Sequence, residues 1–275
     1  MVKVGAVIQV RLGSERLPGK ALLPLPFSGG PGLLEHVVGR AAAAAAVQQV
    51  IVATTILASD DPVETYCHKN GITCFRGSVD DVLERFVQAA AAHKLEVVVR
   101  LTGDNPFIMP ATINEAVQQH LRKQVDYSIT EGLPLGTNIE VVSFKALKQA
   151  MEEATETTDR EHVTPFMKRG SNFTTQVLPV VSAISKLRLT IDYPADYALA
   201  SLLYSKLYKK NYNFDFAELE QVVQENPWLA AINEEITQRK AFASEQEEVA
   251  EAKRILKQGG YTRVLQKLES NTHDK

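Results

Sequence analysis

The sequence predicts an α/β protein with a mainly parallel sheet. Short apolar segments alternate with amphipathic segments along most of the 275 residues, an order typical of βαβ units. Hydrophobic residues make up 45% of the chain and charged residues 23%, which are ordinary proportions for a globular protein and exclude fibrous and broadly disordered classes. A chain of this length can bury one substantial core, so we expect one large domain with a smaller appendage.

Seven apolar segments predict the strands. The first, Lys3–Gln9, is interrupted too early by polar residues to be the apolar core of a signal peptide, and it fits a buried strand. The other predicted strands are Val50–Thr54, Ile72–Phe75, Glu96–Leu101, Asp126–Thr130, Asn138–Val142 and Leu187–Ile191.

Helices are predicted between the strands by apolar spacing and by capping or acidic residues at their starts. They lie near Leu33–Ala46, Asp61–Asn70, Asp80–Ala92, Pro110–Arg122 and Phe144–Ala154. After Pro194 the chain becomes more polar, with helical segments at Asp196–Leu207, Phe216–Glu225 and Ser244–Lys257. We therefore expect a main domain over residues 1–212 and a C-terminal helical extension over residues 213–275, packed on it.

Charge and cysteine content exclude several classes of protein. The chain has 30 Lys and Arg against 33 Asp and Glu, a net charge of -3, so no nucleic-acid partner is expected. The long apolar stretch Ala41–Ala58 is broken by two glutamines and fits a helix leading into a strand, so no membrane span is expected. Cys67 and Cys74 are too few for a disulfide framework, which favours the cytoplasm.

The segment after the first predicted strand, Gln9–Lys20 (QVRLGSERLPGK), carries the strongest chemical signal. Ligands of open α/β sheets bind at the carboxyl ends of the strands. Two glycines there would let backbone N–H groups approach phosphate oxygens, and Arg11, Arg16 and Lys20 would supply positive charge. We predict a triphosphate-binding loop; a basic surface turn is the alternative.

Spacing excludes two familiar phosphate-binding loops. A P-loop has four residues between its glycines and then Lys-Ser or Lys-Thr, whereas five residues separate Gly13 from Gly19 and Ala21 follows Lys20. The loop also lacks the G-x-G-x-x-G pattern of dinucleotide-binding proteins. A P-loop kinase and a dehydrogenase are therefore not expected.

Two aspartates, Asp104 and Asp192, each end an apolar segment shortly before a proline. Carboxylates are the protein ligands that Mg²⁺ prefers, together with water and substrate phosphates, so both are candidate metal ligands. A turn or a helix cap is the alternative for each, and Asp196 could provide the cap in place of Asp192.

Two other polar clusters give weaker signals. Arg76 and Ser78 follow the third predicted strand and either contact a base or ribose or form a plain turn. Glu161 and His162 lie among charged residues, where a histidine without a visible partner is more often structural than catalytic. Neither a zinc site nor a catalytic thiol is expected, because no cysteines and histidines have the required spacing.

Taken together, these motifs resemble the cytidylyltransferases, a family that includes CMP-sialic acid synthetases, CMP-Kdo synthetases and, most similar to this chain, the spore coat polysaccharide biosynthesis protein F group. The resemblance runs in order from about Val4 to Pro194. It is carried by Gln9–Lys20, Leu33–His36 (LLEH), Val52–Thr55 (VATT), Phe75–Leu83 (FRGSVDDVL), Arg100–Asp104 (RLTGD) and Arg160–Pro165 (REHVTP).

The resemblance implies a Rossmann-like, three-layer nucleotidyltransferase fold and a specific reaction. A hydroxyl of an acidic sugar, of the ulosonic or nonulosonic type, would attack the α-phosphorus of CTP and release pyrophosphate, for surface polysaccharide biosynthesis. The implied cofactor is Mg²⁺, the implied partners are CTP and the sugar acceptor, and the implied state is a cytoplasmic homodimer.

The resemblance also implies roles for particular residues. The implied catalytic residues are Arg11, Arg16, Lys20 and Asp104, with Asp104 and Asp192 as metal ligands. The implied nucleotide-binding residues are Arg11, Gly13, Ser14, Arg16, Lys20, Arg76, Ser78, Thr102 and Gly103, and the implied acceptor-sugar side is formed by Asn138, Glu140, Glu161 and His162.

The chain departs from the most similar group at several positions. Where that group has Arg-Gly-x-Asp-x-Glu, this chain has Leu135–Glu140 (LGTNIE), and Leu12 and Asn105 stand where a methionine and a cysteine are expected. Two alternatives stay open. Because the implied fold is shared by many nucleotidyltransferases, one is an enzyme that uses another nucleotide, a neutral sugar or a polyol phosphate. The other, favoured by the departures at Leu135 and Asn138, is a nucleotide-binding partner protein that has lost turnover.

Overall fold

A seven-stranded sheet forms the centre of the protein. The structure, a computed structural model, describes residues 2–209, 213–236 and 245–270. The strands are β1 (Val4–Gln9), β2 (Gln49–Thr55), β3 (Thr73–Gly77), β4 (Val97–Thr102), β5 (Tyr127–Glu131), β6 (Glu140–Ser143) and β7 (Thr175–Pro179). Their order is β3-β2-β1-β4-β6-β5-β7, and only β6 runs antiparallel to its neighbours among these strands. The predicted α/β class with a mainly parallel sheet is confirmed.

Helices cover both faces of the sheet and make three layers. They are α1 (Leu33–Ala42), α2 (Asp61–Lys69), α3 (Val82–Ala92), α4 (Pro110–Lys123), α5 (Phe144–Glu153), α6 (Thr157–His162), α7 (Pro165–Arg169), α8 (Pro194–Leu207) and α9 (Phe216–Glu225). The short helices α6 and α7 were not predicted. The helix predicted over Leu33–Ala46 ends at Ala42, because the chain must turn there to lead into β2.

Alternating side chains of the strands build two separate cores. In β1, Ala6 and Ile8 face the first core, whereas Val7 faces the second. The first core is completed by apolar residues of α1, α4, α8 and α9, and the second by apolar residues of α3, α5 and α7. Both sheet faces are therefore buried, which explains why the central strands are almost continuously apolar.

The strand order creates a crevice at the carboxyl ends of β1 and β4. From β1 the chain runs outward through β2 and β3, and it then returns to place β4 on the other side of β1. Such a reversal separates the loops after the two central strands, and ligands of open α/β sheets bind at this position. The loops that follow β1 and β4 are Val10–Gly19 and Gly103–Met109. Of the predicted site residues they contain Arg11, Gly13, Ser14, Arg16, Gly103 and Asp104.

The strand predicted over Leu187–Ile191 is wrong. This segment forms only an isolated parallel bridge between Arg188 and Leu135, although Leu187, Leu189 and Ile191 are buried. The seventh strand is instead β7, which pairs with β5 at the edge of the sheet. Its side chains alternate between exposed and half-buried, so it lacks the apolar run that marks a central strand.

The chain divides into two compact units, residues 1–236 and 237–275. Within the second, α10 (Glu245–Gln258) and α11 (Thr262–Ser270) are joined by a turn in which Gly260 has a φ of 72°. The helix predicted from Ser244 to Lys257 matches α10, although Ser244 lies outside the described residues. The division predicted between residues 212 and 213 stays a prediction. None of the helices within the described residues is both long and apolar enough to cross a bilayer.

Candidate active site

A glycine and a buried aspartate shape the loop after β1. Gly19 has a φ of 67°, in the left-handed region that favours glycine, and leads into a 3-10 turn at Lys20–Leu22. Asp60 is only 2% exposed, and its carboxylate accepts hydrogen bonds from the N–H of Leu12, at 2.8 Å, and from the hydroxyl of Thr55. Asp60 thus ties the loop to the end of β2, a role that the sequence analysis missed.

The ammonium group of Lys20 joins three parts of the chain. Its Nζ lies 2.8 Å from a carboxylate oxygen of Asp104 and 2.8 Å from one of Asp192. The third acceptor is the carbonyl oxygen of Ile191, at 2.7 Å. An ammonium group has three N–H donors, so all are engaged. The loops after β1 and β4 and the segment before α8 therefore meet at one cation.

The charges of this cluster stabilise one another. Burial alone would raise the pKa of Asp192, but Lys20, Arg16 and Arg188 outweigh it and lower that pKa. Burial alone would lower the pKa of Lys20, but Asp104 and Asp192 outweigh it and raise that pKa. The lysine is therefore protonated and Asp192 ionised at neutral pH.

Neither aspartate caps a helix, although Asp104 lies in the turn that follows β4. Helix α4 begins at Pro110, well beyond Asp104. At the start of α8 it is Asp196 whose carboxylate accepts the N–H groups of Asp192 and Tyr193, at 3.0 and 2.9 Å. The carboxylate of Asp192 is consequently left to face Lys20.

The two arginines of the loop differ in their surroundings. Arg16 donates to the hydroxyl of Tyr193 at 3.0 Å, packs over its ring, and lies 3.5 Å from the carboxylate of Asp192. Arg11 is exposed, and the part of the chain that the structure describes offers it neither a hydrogen-bond acceptor nor an ion-pair partner. Arg16 is thus held at the edge of the cluster, whereas the donors of Arg11 face solvent.

The backbone of the loop turns sharply after Leu12. The N–H of Ser14 donates to the carbonyl of Leu12 at 2.8 Å, and the hydroxyl of Ser14 accepts from the N–H of Leu17 at 3.4 Å. Gly13 is exposed, with open space where a Cβ would lie. A ligand can therefore approach the backbone closely at Gly13.

The end of β4 packs tightly on the end of β1. The N–H of Gly103 donates to the carbonyl of Gln9 at 2.8 Å, and a Cβ on Gly103 would lie 3.0 Å from the side chain of Val10. The hydroxyl of Thr102 donates to Asp104 at 2.6 Å. A glycine is thus needed for the close approach, and the threonine fixes the aspartate beside Lys20.

Comparison with known proteins identifies the family to which this site belongs. Residues 6–257 match the family described as Cytidylyltransferase. The chain belongs to the cytidylyltransferase family. The family resemblance inferred from the sequence is confirmed, and so is the assignment to the enzymes that transfer nucleotidyl groups.

Individual cytidylyltransferases and related structures agree with this membership. The spore coat polysaccharide biosynthesis protein SpsF of Bacillus subtilis is 36% identical over 236 residues, 83% of this chain and 97% of that protein. A solved cytidylyltransferase of Leptospira borgpetersenii has a TM-score of 0.78 and 30% identity, and the match covers 87% of this chain and all of that one. A CMP:2-keto-3-deoxy-manno-octonic acid synthetase solved with CTP shares the fold, with a TM-score of 0.59 and 17% identity over 74% of this chain and 99% of its own.

The carboxylates of this cytidylyltransferase fit a hard cation. One oxygen of Asp104 and one of Asp192 lie 2.8 Å from the same ammonium nitrogen, so they are close enough to share a cation. No set of three or more histidine, cysteine or acidic side chains suitable for a metal occurs in the described residues. A pair of carboxylates suits Mg²⁺, which completes its shell with water and substrate phosphates.

Arg76 and Ser78 hold the turns next to β2 and β3. Arg76 donates to the carbonyls of Thr55 and Leu57, at 2.9 and 2.8 Å, and pairs with Glu64 at 2.8 Å. The hydroxyl of Ser78 accepts from the backbone N–H of Asp81, three residues later, at 3.2 Å. These contacts do not reach Lys20, so a role at the nucleoside stays a prediction for both residues.

Among the four residues predicted on the acceptor side, only Glu140 lies in a buried charged cluster. Its carboxylate contacts Arg100 of β4 and Lys168 of α7, neither of which the sequence analysis singled out. Asn138 donates to the carbonyl of Leu133 at 3.3 Å. Glu161 and His162 are exposed at the end of α6 and do not join the cluster.

Removing the buried carboxylate that anchors the loop is expected to lower stability. Asp60→Ala leaves the N–H of Leu12 and the hydroxyl of Thr55 without their acceptor, and buried unsatisfied donors cost about 1–3 kcal/mol each. Urea unfolding should show the free energy of unfolding falling by about 1–3 kcal/mol for each donor that loses its acceptor. Asp80→Ala, at an exposed position, is the control and should leave it unchanged. Equal stability of the two variants would contradict the anchoring role.

Proposed function

We propose that this cytidylyltransferase transfers CMP from CTP to the hydroxyl of an acidic sugar and releases pyrophosphate, in a reaction that depends on Mg²⁺. The observation that carries the proposal is the Lys20 ammonium between Asp104 and Asp192, at the crevice between β1 and β4. Nucleotidyl transfer needs cations that neutralise phosphate charge, and a carboxylate pair that can hold a metal beside them.

The triphosphate would lie along the loop after β1. The exposed donors of Arg11, the guanidinium of Arg16 and the ammonium of Lys20 would bind its oxygens, and Gly13 would allow close approach of the backbone. A metal held by Asp104 and Asp192 would neutralise charge on the phosphates and make the attacking hydroxyl more acidic. In the reaction the bond from the sugar oxygen to the α-phosphorus would form, the bond from the α-phosphorus to the pyrophosphate leaving group would break, and the proton of the hydroxyl would pass to water.

The nature of the acceptor and of the pathway is also part of the proposal. The name of the Bacillus subtilis relative refers to spore coat polysaccharide biosynthesis, and the solved synthetase is named for a 2-keto sugar acid. We therefore expect a sugar acid as acceptor and a surface polysaccharide as destination. The Mg²⁺ dependence, the cytoplasmic location and the homodimer inferred from the resemblance stay predictions.

Thermal unfolding with Mg²⁺ and each nucleoside triphosphate tests the nucleotide. CTP at about 100 times its dissociation constant should add roughly 2.7 kcal/mol to stability, and UTP, ATP and GTP should add less. Pyrophosphate release with a panel of sugar acids then tests turnover. Stabilisation by another nucleotide in preference to CTP would contradict the base assignment, and binding of CTP without release on any sugar would favour a partner protein that has lost turnover.

A further inference from the structure

We propose that Arg100 and Lys168 form the binding site for the carboxylate of the acceptor sugar, and that buried Glu140 positions both cations. The inference deepens the proposed function and rests on it. It is carried by the contacts of Glu140, the unused donors of Arg100, and the location of the cluster relative to Asp104.

Glu140 lies in β6, and both of its carboxylate oxygens accept hydrogen bonds from neighbouring side chains. One carboxylate oxygen accepts from the hydroxyls of Tyr127 and Thr164, at 2.6 and 2.9 Å, and from Lys168 at 2.7 Å. The other oxygen accepts from Arg100 at 3.1 Å. Burial alone would raise the pKa of Glu140, but Arg100 and Lys168 outweigh it and lower that pKa to about 2. The carboxylate is therefore ionised at any physiological pH and holds both cations in place.

The cluster of Arg100, Lys168 and Glu140 has a net charge of +1. Two cations, Arg100 and Lys168, face the single carboxylate of Glu140, and the neighbouring phenol of Tyr127 stays neutral because burial raises its pKa. A surplus of one charge matches a monoanion such as a carboxylate better than a phosphate dianion. The chemistry of the site thus favours a sugar acid over a sugar phosphate.

Arg100 has donors left over for a ligand. A guanidinium carries five N–H donors, and among the described residues only Glu140 and Gln9 accept from it, at 3.1 and 3.2 Å. Its Nε is buried without a partner, whereas each terminal nitrogen keeps one N–H that no described residue accepts. A bound carboxylate would accept from these terminal N–H groups in charge-assisted hydrogen bonds. Lys168 remains 43% exposed, so a ligand can reach the cluster from solvent.

The cluster lies at a suitable distance from the phosphate side. Arg100 and Thr102 project from the same face of β4, because side chains two residues apart in a strand do so, and their Cα atoms are about 7 Å apart. Thr102 in turn contacts Asp104. On the other side, Arg100 contacts Gln9, the last residue of β1 before the triphosphate loop. In a 2-keto sugar acid the carboxylate is bonded to the carbon that carries the attacking hydroxyl, so an acid bound at Arg100 would hold that hydroxyl on the side of Thr102 and Asp104.

A strained backbone position delivers Thr164 to the cluster. Val163 is fully buried and has a φ of 72° and a ψ of -50°, an unfavourable conformation for a β-branched residue. The N–H of Thr164 donates to the carbonyl of His162 at 2.9 Å across this γ-turn. The turn places the hydroxyl of Thr164 on Glu140 and starts α7, which carries Lys168. Strain of this kind persists where the surroundings enforce it, often at binding sites.

Lys168→Met, which removes the cation and keeps most of the side chain, tests the site. The assay is pyrophosphate release with 3-deoxy-manno-octulosonate and a panel of other 2-keto sugar acids, each compared with its carboxamide. We expect the KM for the acid to rise roughly 10- to 100-fold, with kcat and the CTP-induced thermal shift unchanged. Lys168→Arg should restore most of the affinity, and Lys148→Met, at an exposed lysine of α5, is the matched control. The wild-type enzyme should discriminate against the carboxamide, and Lys168→Met should lose that discrimination.

A second variant separates positioning from folding. Glu140→Gln keeps the shape of the side chain but leaves Arg100 and Lys168 without their counter-ion, so it should raise the KM for the acid without weakening CTP binding. A destabilised but folded Glu140→Gln protein with an unchanged KM would indicate a purely structural role and overturn the positioning role.

The outcomes distinguish this inference from the function on which it rests. Failure of CTP to bind would reject the cytidylyltransferase proposal itself. CTP binding together with equal use of acid and carboxamide, a preference for a sugar phosphate, or an unchanged KM in Lys168→Met would overturn the carboxylate site alone. A CTP-saturated protein that neither binds nor turns over any sugar acid would overturn both the carboxylate site and the proposed transfer to a sugar acid.

Discussion

Asp104→Asn is expected to lower turnover at least about 1000-fold while the protein stays folded. Among the described residues, the carboxylates of Asp104 and Asp192 are the two that contact Lys20, and that of Asp104 is fixed by the hydroxyl of Thr102. Asparagine keeps the size and an oxygen for that hydroxyl, but it removes the negative charge that a metal ligand needs. Lys20 retains two acceptors, Asp192 and the carbonyl of Ile191, so the fold should tolerate the change.

Pyrophosphate release under saturating CTP and Mg²⁺ measures the loss, and the melting temperature without ligands checks the fold. Asp192→Asn should show a similar loss of turnover, because the two carboxylates would share one cation. Asp80→Asn, at an exposed aspartate, serves as the control and should be fully active. Near-normal activity of Asp104→Asn would show that this carboxylate does not hold the metal.

The positions that the sequence predicted best are those of residues directly after a central strand. The loop after β1, Gly103 and Asp104 follow such strands, whose apolar runs are easy to recognise. The carboxyl ends of parallel strands lie at one edge of the sheet, so proximity of these residues follows from the strand assignment alone.

The contacts between distant segments could not be predicted in the same way. Asp192 lies beside Lys20 although the preceding segment is not a strand. The prediction that it lies near the site therefore depended in part on a wrong strand assignment. Asp60 has no predicted role in the sequence analysis, since nothing in the local sequence shows that its carboxylate reaches back to Leu12. Hydrogen bonds across 48 residues depend on how two loops pack, not on local propensity.

The sequence contains a signal for Arg100 that the sequence analysis did not use. Arg100 is the single charged residue in the strand VVVRLT, and a charge inside a buried strand requires a partner or a function. Glu140 in the pattern LGTNIE was identified, but its cation partners come from β4 and α7. The strand order that places β6 next to β4 is needed to bring Arg100 and Glu140 together, and β6 is the strand that breaks the parallel pattern.

Lys20→Met is expected to have opposite effects on two ligands. CTP should bind about 10- to 100-fold more weakly, because a charge-assisted contact to phosphate is lost. A divalent metal, measured without nucleotide, should bind about tenfold more tightly, because the ammonium now occupies the space between Asp104 and Asp192. Without it, Asp192 keeps Arg188 and Arg16 as neighbouring cations, but the ammonium that joins it to Asp104 is gone, so a metal can bind between the two carboxylates without displacing a charge.

The electron paramagnetic resonance signal of free Mn²⁺ reports the metal affinity, and calorimetry with CTP reports the nucleotide affinity. Lys148→Met removes an equal charge at an exposed position and should change neither. Weaker or unchanged Mn²⁺ binding in Lys20→Met would contradict the competition. If the competition holds, Lys20 must leave the two carboxylates when the triphosphate binds. The nucleotide would then remove the ammonium group from the metal site and would also supply phosphate oxygens as further metal ligands. Metal and nucleotide would in that case bind with positive cooperativity in the wild-type protein, and Lys20→Met should reduce it.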